Sequence, residues 1–330
     1  MAARDFSDTH DIYRVQQMTD IIIGIDAGGT KTAGVAAALD EVLLDALAPG
    51  ARTVSLTAEG ANPNDLGARA AGETVARLAL ELCEDWSEEF GGEARLAALF
   101  CAAAGATSCR EEFIGETARR VREIYPAALV DADSDAAGLL SLGLGAGGDG
   151  CALISGTGSS CFTRIGGKIG RIGGWGYLLD GLGSGYDLGR DAISEALRFH
   201  DGRGGSIAIR EAVLEKTGGR LPEEMIYDFY KLGKPFIASF ASCVFEAEKA
   251  GDAAARAILD RNMAYLAELV ETAARSFDSS FRTVLGGGII TKNPTALNRL
   301  AALVPPACEL YIPEHPAEYG ALWEARGMLK

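Results

Sequence analysis

Three glycine-rich turns, each closing an apolar run, carry the groups best suited to hold a phosphate. They are Asp26-Ala27-Gly28-Gly29-Thr30-Lys31-Thr32, Ser155-Gly156-Thr157-Gly158-Ser159 and Gly286-Gly287-Gly288. Glycine lets backbone N–H groups approach an oxygen with no Cβ in the way, and Thr and Ser hydroxyls add donors. One such turn says little, because glycine turns between strands are usually only turns; three in this order are specific. A carboxylate stands apart from them. Asp135 follows the apolar run "AALVDAD" and opens "DAAGLL", where a side chain at a helix start can face a cleft. Phosphoryl transfer to an alcohol needs an oxygen in line with the phosphorus and a group that takes its proton, and a carboxylate can do that. The competing reading is that Asp131, Asp133 and Asp135 merely favour a helix N-terminus.

The first turn fits neither common nucleotide motif. Gly24 and Gly29 have the P-loop gap, but Thr30 occupies the place of the lysine. A dinucleotide fingerprint would run from a strand into a helix, whereas residues 33–38 are a small apolar run followed by "EVLLDAL" (41–47). That pattern predicts strand, turn, strand, turn, strand, with 41–47 as the third strand. A similar unit, "CALISGTGSSCFTRIGGKIG", begins about 130 residues later. Two strand-rich meanders, each followed by helices, predict two related α/β domains facing each other.

Between these units, apolar spacing predicts helices over 66–86 and 110–124, the second ended before Pro126. Residues 94–106 read as a buried strand. From 187 to 275 the pattern is mostly helical, with segments at 206–217, 222–230, 235–250 and 252–277. "FRTVLGGGIITKN" is a strand ending in the glycine triplet, and "HPAEYGALWEARGMLK" a terminal helix. Ten glycines between 166 and 189 suggest a loop able to close over a substrate.

At 330 residues the chain is long enough for two domains. Its net charge of −15 repels nucleic-acid backbones and anionic membranes, so neither is an expected partner. Seven cysteines with no C-x-x-C pair read as reduced thiols of a cytoplasmic protein. Three scattered histidines make a histidine metal cage improbable. No apolar stretch reaches the roughly 20 residues of a membrane helix. The first 17 residues are polar and have no signal-peptide core. Met18 reads as a second start, and 1–19 as a flexible extension.

The order Asp-x-Gly-Gly-Thr, helix-start Asp, Gly-Thr-Gly-Ser, Gly-Gly-Gly resembles the sugar kinase/actin/Hsp70 nucleotide-binding fold. Within it the sequence is most similar to the BadF/BadG/BcrA/BcrD-type ATPase family, whose best understood members are N-acetylglucosamine kinases. The segments that carry the likeness are "GIDAGGTKT", "GANPND", "DADSDAAG", "LISGTGSSC", "GGWGYLLDGLGSGYDLGRDA", "VLGGGI" and "HPAEYGAL", from residue 21 to beyond 320. The resemblance implies an α/β, two-domain ribonuclease H-like actin/hexokinase (ASKHA) fold. The domains would be 20–147 and 148–316, with ATP in the cleft between them and the terminal helix 317–330 packed on the first.

The resemblance also implies roles. Asp26 would order Mg²⁺, and Gly28, Gly29, Thr30, Lys31 and Thr32 would hold the terminal phosphates, Lys31 being as well suited to point outward. Thr157 and Gly158 would hold phosphate from the opposite domain. Gly286, Gly287 and Gly288 would follow the adenosine end, and Ala238 would line the adenine. Asp135 would be the catalytic base and touch the sugar, beside Asn62, Ser159, Ser160, Gly174, Trp175 and Gly176. One departure bears on the substrate. The family usually reads Gly-Asp-Glu-Gly-Ser after "GWGYLL", and this chain has Asp180-Gly181-Leu182-Gly183-Ser184. Asp180 or Asp187 would then take over the sugar contact, and N-acetylglucosamine, N-acetylmuramic acid and glucosamine all stay open as substrates.

The implied activity is an ATP-dependent kinase acting on the 6-hydroxyl of an amino sugar, in a homodimer. The alternative is an ATPase activator or subunit of a 2-hydroxyacyl-CoA dehydratase or benzoyl-CoA reductase system. That function needs cysteines bridging an iron–sulfur cluster, and the cysteines here show no cluster spacing. A DNA-binding sugar sensor would need a basic helix-turn-helix, which the sequence lacks.

Overall fold

A computed structural model describes residues 18–329. The expected extension 1–19 therefore lies outside the described residues except for Met18 and Thr19, which already belong to the first strand. The first sheet holds β1 (Met18–Ala27), β2 (Lys31–Ala38), β3 (Thr53–Glu59), β4 (Glu93–Ala103) and β5 (Leu129–Asp133), in the order β3-β2-β1-β4-β5. The second holds β6 (Gly150–Ser155), β7 (Ser159–Ile165), β8 (Lys168–Ile172), β9 (Phe281–Gly286) and β10 (Cys308–Tyr311), in the order β10-β9-β6-β7-β8. Each is an antiparallel three-strand meander extended by two parallel strands. The two sheets thus share one topology, as the repeated sequence unit predicted.

The third strand is not where the sequence suggested. Residues 41–47 form a short turn closed by a Val42–Leu47 bridge, and β3 is Thr53–Glu59 instead. Leu43 and Leu44 of the turn are exposed. "TVSLTAE" supplies the alternation of β-branched and polar residues that an edge strand with one covered face requires. The apolar run 41–47 lacks that alternation.

β1 is buried on both faces, with Ile21, Ile22, Ile23 and Ile25 all fully enclosed. Each such side chain contributes about 1.5–3 kcal/mol by leaving water. One face is covered by the helix Ala68–Phe90, through Val75, Leu78, Leu82 and Trp86. The other is covered by the C-terminal helix Ala317–Gly327, through Ala321, Leu322 and Trp323. That contact is backbone-close: a Cβ on Gly24 would lie 2.2 Å from the Leu322 nitrogen.

The helix Asp135–Leu144 crosses the C-terminal helix where Gly138 and Gly320 let the two backbones touch. It then packs against β9, bringing Gly143 against Val284 and Tyr311 and Leu139 against Gly286. This pair of crossing helices joins the two lobes. A buried arginine fastens the joint. Arg164 of β7 pairs with Glu324 at 2.6 Å, donates to Ser141 Oγ, and also donates to the carbonyls of Gly145 and Gly148.

The predicted helices 110–124 and 206–217 are observed as Arg110–Ile124 and Ile207–Lys216. The stretch 222–250 divides differently. A turn of 3-10 helix at Pro222–Met225 leads into Ile226–Ser239, interrupted at Gly233, and then Ala241–Lys249.

Candidate functional site

The glycine turns and the aspartates sit at the carboxyl ends of strands, the side where open α/β sheets present ligands. Asp26 is the penultimate residue of β1, Ser155 ends β6, Gly286 ends β9, and Asp135 opens the helix after β5. Two cavities meet here. One, of about 480 Å³, is walled by Asp135, Gly156 to Ser160, Arg171, Gly174 to Tyr177, Asp180 and Lys234. The other, of about 500 Å³, is walled by Asp26, Asp135, Leu139, Gly286, Gly287, Thr291, Lys292 and His315. Asp135 and Ile154 belong to both. The second and third glycine turns, Asp26 and the helix-start aspartate therefore share one cleft, whereas Gly28 to Thr32, expected to hold phosphate, line neither cavity.

The second and third turns touch directly. Gly287, at φ 81°, lies so close to Ser155 that a Cβ would come within 2.4 Å of that residue's carbonyl, so only glycine fits. Gly185 N–H donates to the Gly156 carbonyl at 2.7 Å, and the Ala238 carbonyl lies beside Gly185. The Gly28–Lys31 hairpin is closed by a 3.1 Å bond from Gly28 N–H to the Lys31 carbonyl. Gly29, Thr30 and Lys31 at its tip are exposed. Thr32 instead turns inward, fully buried and with its hydroxyl unpartnered.

Asn62 lies next to this hairpin, because Ala61 N–H donates to the Gly28 carbonyl. Its side chain caps the short helix Pro63–Leu66, accepting from Asn64 N–H at 2.8 Å. It lines neither of the two cavities.

The "GGWG" loop is docked on the second turn. Gly174, at φ 67°, is pressed against the Ser159–Ser160 backbone, and Ser159 Oγ donates to the Leu182 carbonyl at 2.7 Å. Ser155 Oγ donates to the Gly183 carbonyl at 2.5 Å, and Gly183 N–H to Asn262 Oδ1 at 2.7 Å. The glycine-rich segment is thus pinned at both ends, with Trp175 to Leu179 exposed between. Asp180, not Asp187, faces the cavity; its carboxylate accepts from Tyr265 Oη and from Trp175 N–H. Asp187 is buried in an ion pair with Arg190.

Electrostatics separate the two aspartates of the cleft. Burial raises the Asp26 carboxyl to about 6, helped by the negative charges of Asp135 and Glu318 and opposed by Lys31. Asp135 is open to the cleft, yet the surrounding walls displace much of its water and raise its carboxyl. Its bond from Ala136 N–H (3.0 Å) and the Arg171 guanidinium pull the other way. A raised but ionisable carboxyl suits a group that accepts a proton near neutral pH.

Two half-desolvated carboxylates facing one cleft also fit a divalent cation with oxygen ligands. Among the described residues no three His, Cys, Asp or Glu side chains converge as a cage.

Sequence reasoning missed Arg171, Lys234 and Tyr265. The Arg171 guanidinium stacks 4.9 Å over the Trp175 ring and donates to the Gly173 and Gly174 carbonyls. Its place two residues before "GGWG" was a usable signal. All seven cysteines are free and are buried or half-buried.

The whole-chain pattern has counterparts. The model of the BadF/BadG/BcrA/BcrD ATPase family matches residues 23–325. The chain belongs to this family. An N-acetylmuramic acid/N-acetylglucosamine kinase of Clostridium acetobutylicum is 30% identical over 242 residues, 72% of this chain and 74% of that one. An N-acetyl-D-glucosamine kinase of Dictyostelium discoideum is 27% identical over 292 residues, 83% of this chain and 86% of that one. The crystal structure of a candidate N-acetylglucosamine kinase from Chromobacterium violaceum superposes with a TM-score of 0.64 at 23% identity, over 92% of this chain and 98% of that one. The fold of this BadF-family protein is accordingly the two-lobed α/β fold of the sugar kinases.

Proposed function

We propose that the protein transfers the terminal phosphoryl group of ATP to the 6-hydroxyl of an amino sugar, N-acetylglucosamine or its N-acetylmuramic acid relative. The observation that carries this reading is the position of Asp135. It lines both cavities, the one that holds the second glycine turn, Trp175 and Asp180 and the one that holds Asp26, Gly286 and Gly287. The names of the two relatives support the sugar class. In this reading the sugar's exposed apolar face lies against Trp175, and Asp180 accepts from one of its hydroxyls. Asp135 takes the proton of the attacking hydroxyl as its oxygen bonds to the γ-phosphorus, and the bond to the β-bridging oxygen breaks to release ADP. The exposed tip Gly29–Thr30 and the second turn, Thr157–Gly158, offer backbone donors to the phosphates, and Gly286–Gly288 and Ala238 flank the nucleoside. Mg²⁺, held near Asp26 through water, would neutralise phosphate charge when bound. Among the described residues no helix is long and apolar enough to cross a membrane; the proposal places the enzyme in the cytoplasm, as a homodimer.

A panel of hexoses and amino sugars scored for ADP release by the purified protein tests it. Turnover with N-acetylated sugars and none with the 6-deoxy analogue is expected. ATP hydrolysis indifferent to every sugar would overturn the reading.

A further inference from the structure

The cleft holds a cation that none of the roles above uses. Lys234 projects from the helix Ile226–Ser239 at the point where that helix breaks: Gly233 adopts φ 65°, ψ −151°, and Pro235 follows. The break re-aims the next side chain, so Lys234 reaches across to the second glycine turn instead of following the helix surface. Its Nζ lies 3.0 Å from the position a Cβ on Gly158 would occupy. Any larger residue at 158 would displace it. The ammonium also sits 5.4 Å from the centroid of Tyr177, in the loop carrying Trp175. Among the described residues no carboxylate lies within 4.0 Å of it. It is half-buried and shares the cavity with Asp135 and Thr157.

An ammonium in a half-buried cleft, held only by a ring face and a glycine turn, lacks the anion that would balance it. The proposed reaction brings one. Asp26 and Asp135 both repel a triphosphate, and the chain as a whole carries −15. A positive group on the opposite wall offsets that repulsion where the charge of the transferring group develops.

We propose that Lys234 is a catalytic residue of the phosphoryl transfer, contacting the β- and γ-phosphate oxygens over Gly158; this rests on the kinase reading above. In the transfer the sugar oxygen bonds to the γ-phosphorus, the bond to the β-bridging oxygen breaks, and ADP leaves with that electron pair. The sugar's proton goes to Asp135. Lys234 stays protonated throughout and donates hydrogen bonds to the oxygens that gain charge. Its perch on Tyr177 makes this ammonium the link between the sugar loop and the phosphates.

The test uses the full chain with Lys234→Met and Lys234→Arg. Lys234→Met should lower kcat/KM for ATP about 100-fold and weaken ADP binding at least tenfold in calorimetry. AMP affinity and sugar affinity should stay within twofold, because AMP has no β-phosphate. Lys234→Arg should recover most of the loss. Unchanged kcat/KM for ATP, an equal loss for AMP and ADP, or a loss confined to the sugar's KM would each overturn the proposal. The nucleotide affinities are read without sugar, so they judge Lys234 even if the sugar panel refutes the kinase reading.

Discussion

Asp26 gives the sharpest test of the cleft's electrostatics, because its cost should be visible in the empty protein. Its carboxyl is raised from an ordinary 3.8 to about 6, chiefly by burial and then by Asp135 and Glu318. At about 1.36 kcal/mol per pKa unit, the ionised form costs the folded state about 3 kcal/mol at pH 7. The sign follows from proton binding. The folded state binds this proton more tightly than the unfolded chain, so the penalty is fully present above pH 6 and fades as pH falls toward 4. At pH 5 it should have shrunk to about half its value at pH 7. Asp26→Asn keeps the shape and removes the charge, so the ligand-free variant should be more stable than the parent at pH 7. That advantage should narrow by about 1–1.5 kcal/mol at pH 5. Urea unfolding at the two pH values measures both quantities. The same variant should lose Mg²⁺-dependent stabilisation by nucleotide. A variant less stable than the parent at pH 7, or an advantage identical at both pH values, would refute the argument that Asp26 is held ionised against its surroundings for the sake of a ligand.

The other expectations concern single contacts. Asp135→Asn should cut kcat by at least about 10²-fold while nucleotide affinity survives, since it removes the proton acceptor and little volume; near-normal turnover would exclude Asp135 as the base. Asp180→Asn removes the charged acceptor facing the Trp175 loop and should raise the sugar's KM by about 10–100-fold with the ATP KM unchanged. Asp187→Asn, away from the cavity, should leave both constants alone, and steady-state kinetics of the pair decides which aspartate contacts the sugar. Arg164→Met strands Glu324 and frees the Gly145 and Gly148 carbonyls at the joint between lobes. Denaturant unfolding should show a loss of about 3–5 kcal/mol, and a change below 1 kcal/mol would mean that the buried pair does not hold the joint.

What the sequence made legible follows the reach of each interaction along the chain. The glycine turns could be found because backbone donors need glycine and hydroxyl residues within a few positions of one another, as in 155–159 and 286–288. Asp135 could be found for the same reason, through its strand-to-helix setting, and the helix does begin at Asp135. The helix Ala317–Gly327 packs on β1 at Gly24. The third strand was missed because hydrophobicity at 41–47 outweighed the weaker period-two signal of 53–59, and an apolar run by itself does not separate a strand from an exposed turn. The gap read between the helices 222–230 and 235–250 does fall on the non-helical Gly233, whereas the boundary at Phe240 was missed because no glycine or proline marks it.

The missed site residues share one property. Arg171, Lys234 and Tyr265 reach the cleft with long side chains from elements whose own periodicity is set by packing elsewhere. A backbone turn announces itself in local spacing. Arg171, four residues before Trp175, was within reach of such local reading; an ammonium laid over Gly158, or a phenol that meets Asp180 from Tyr265, depends on the distance between elements far apart in sequence, and no local pattern encodes that distance. The interlobe arrangement itself was partly legible, because a duplicated meander puts two like sheets in one chain and each sheet ends its strands toward the ligand. Which lobe supplies the positive charge was not legible. The sequence offers Lys31 within the first turn, whereas the fold leaves it exposed at a hairpin tip and sends Lys234 from the opposite lobe into the cavity beside Asp135.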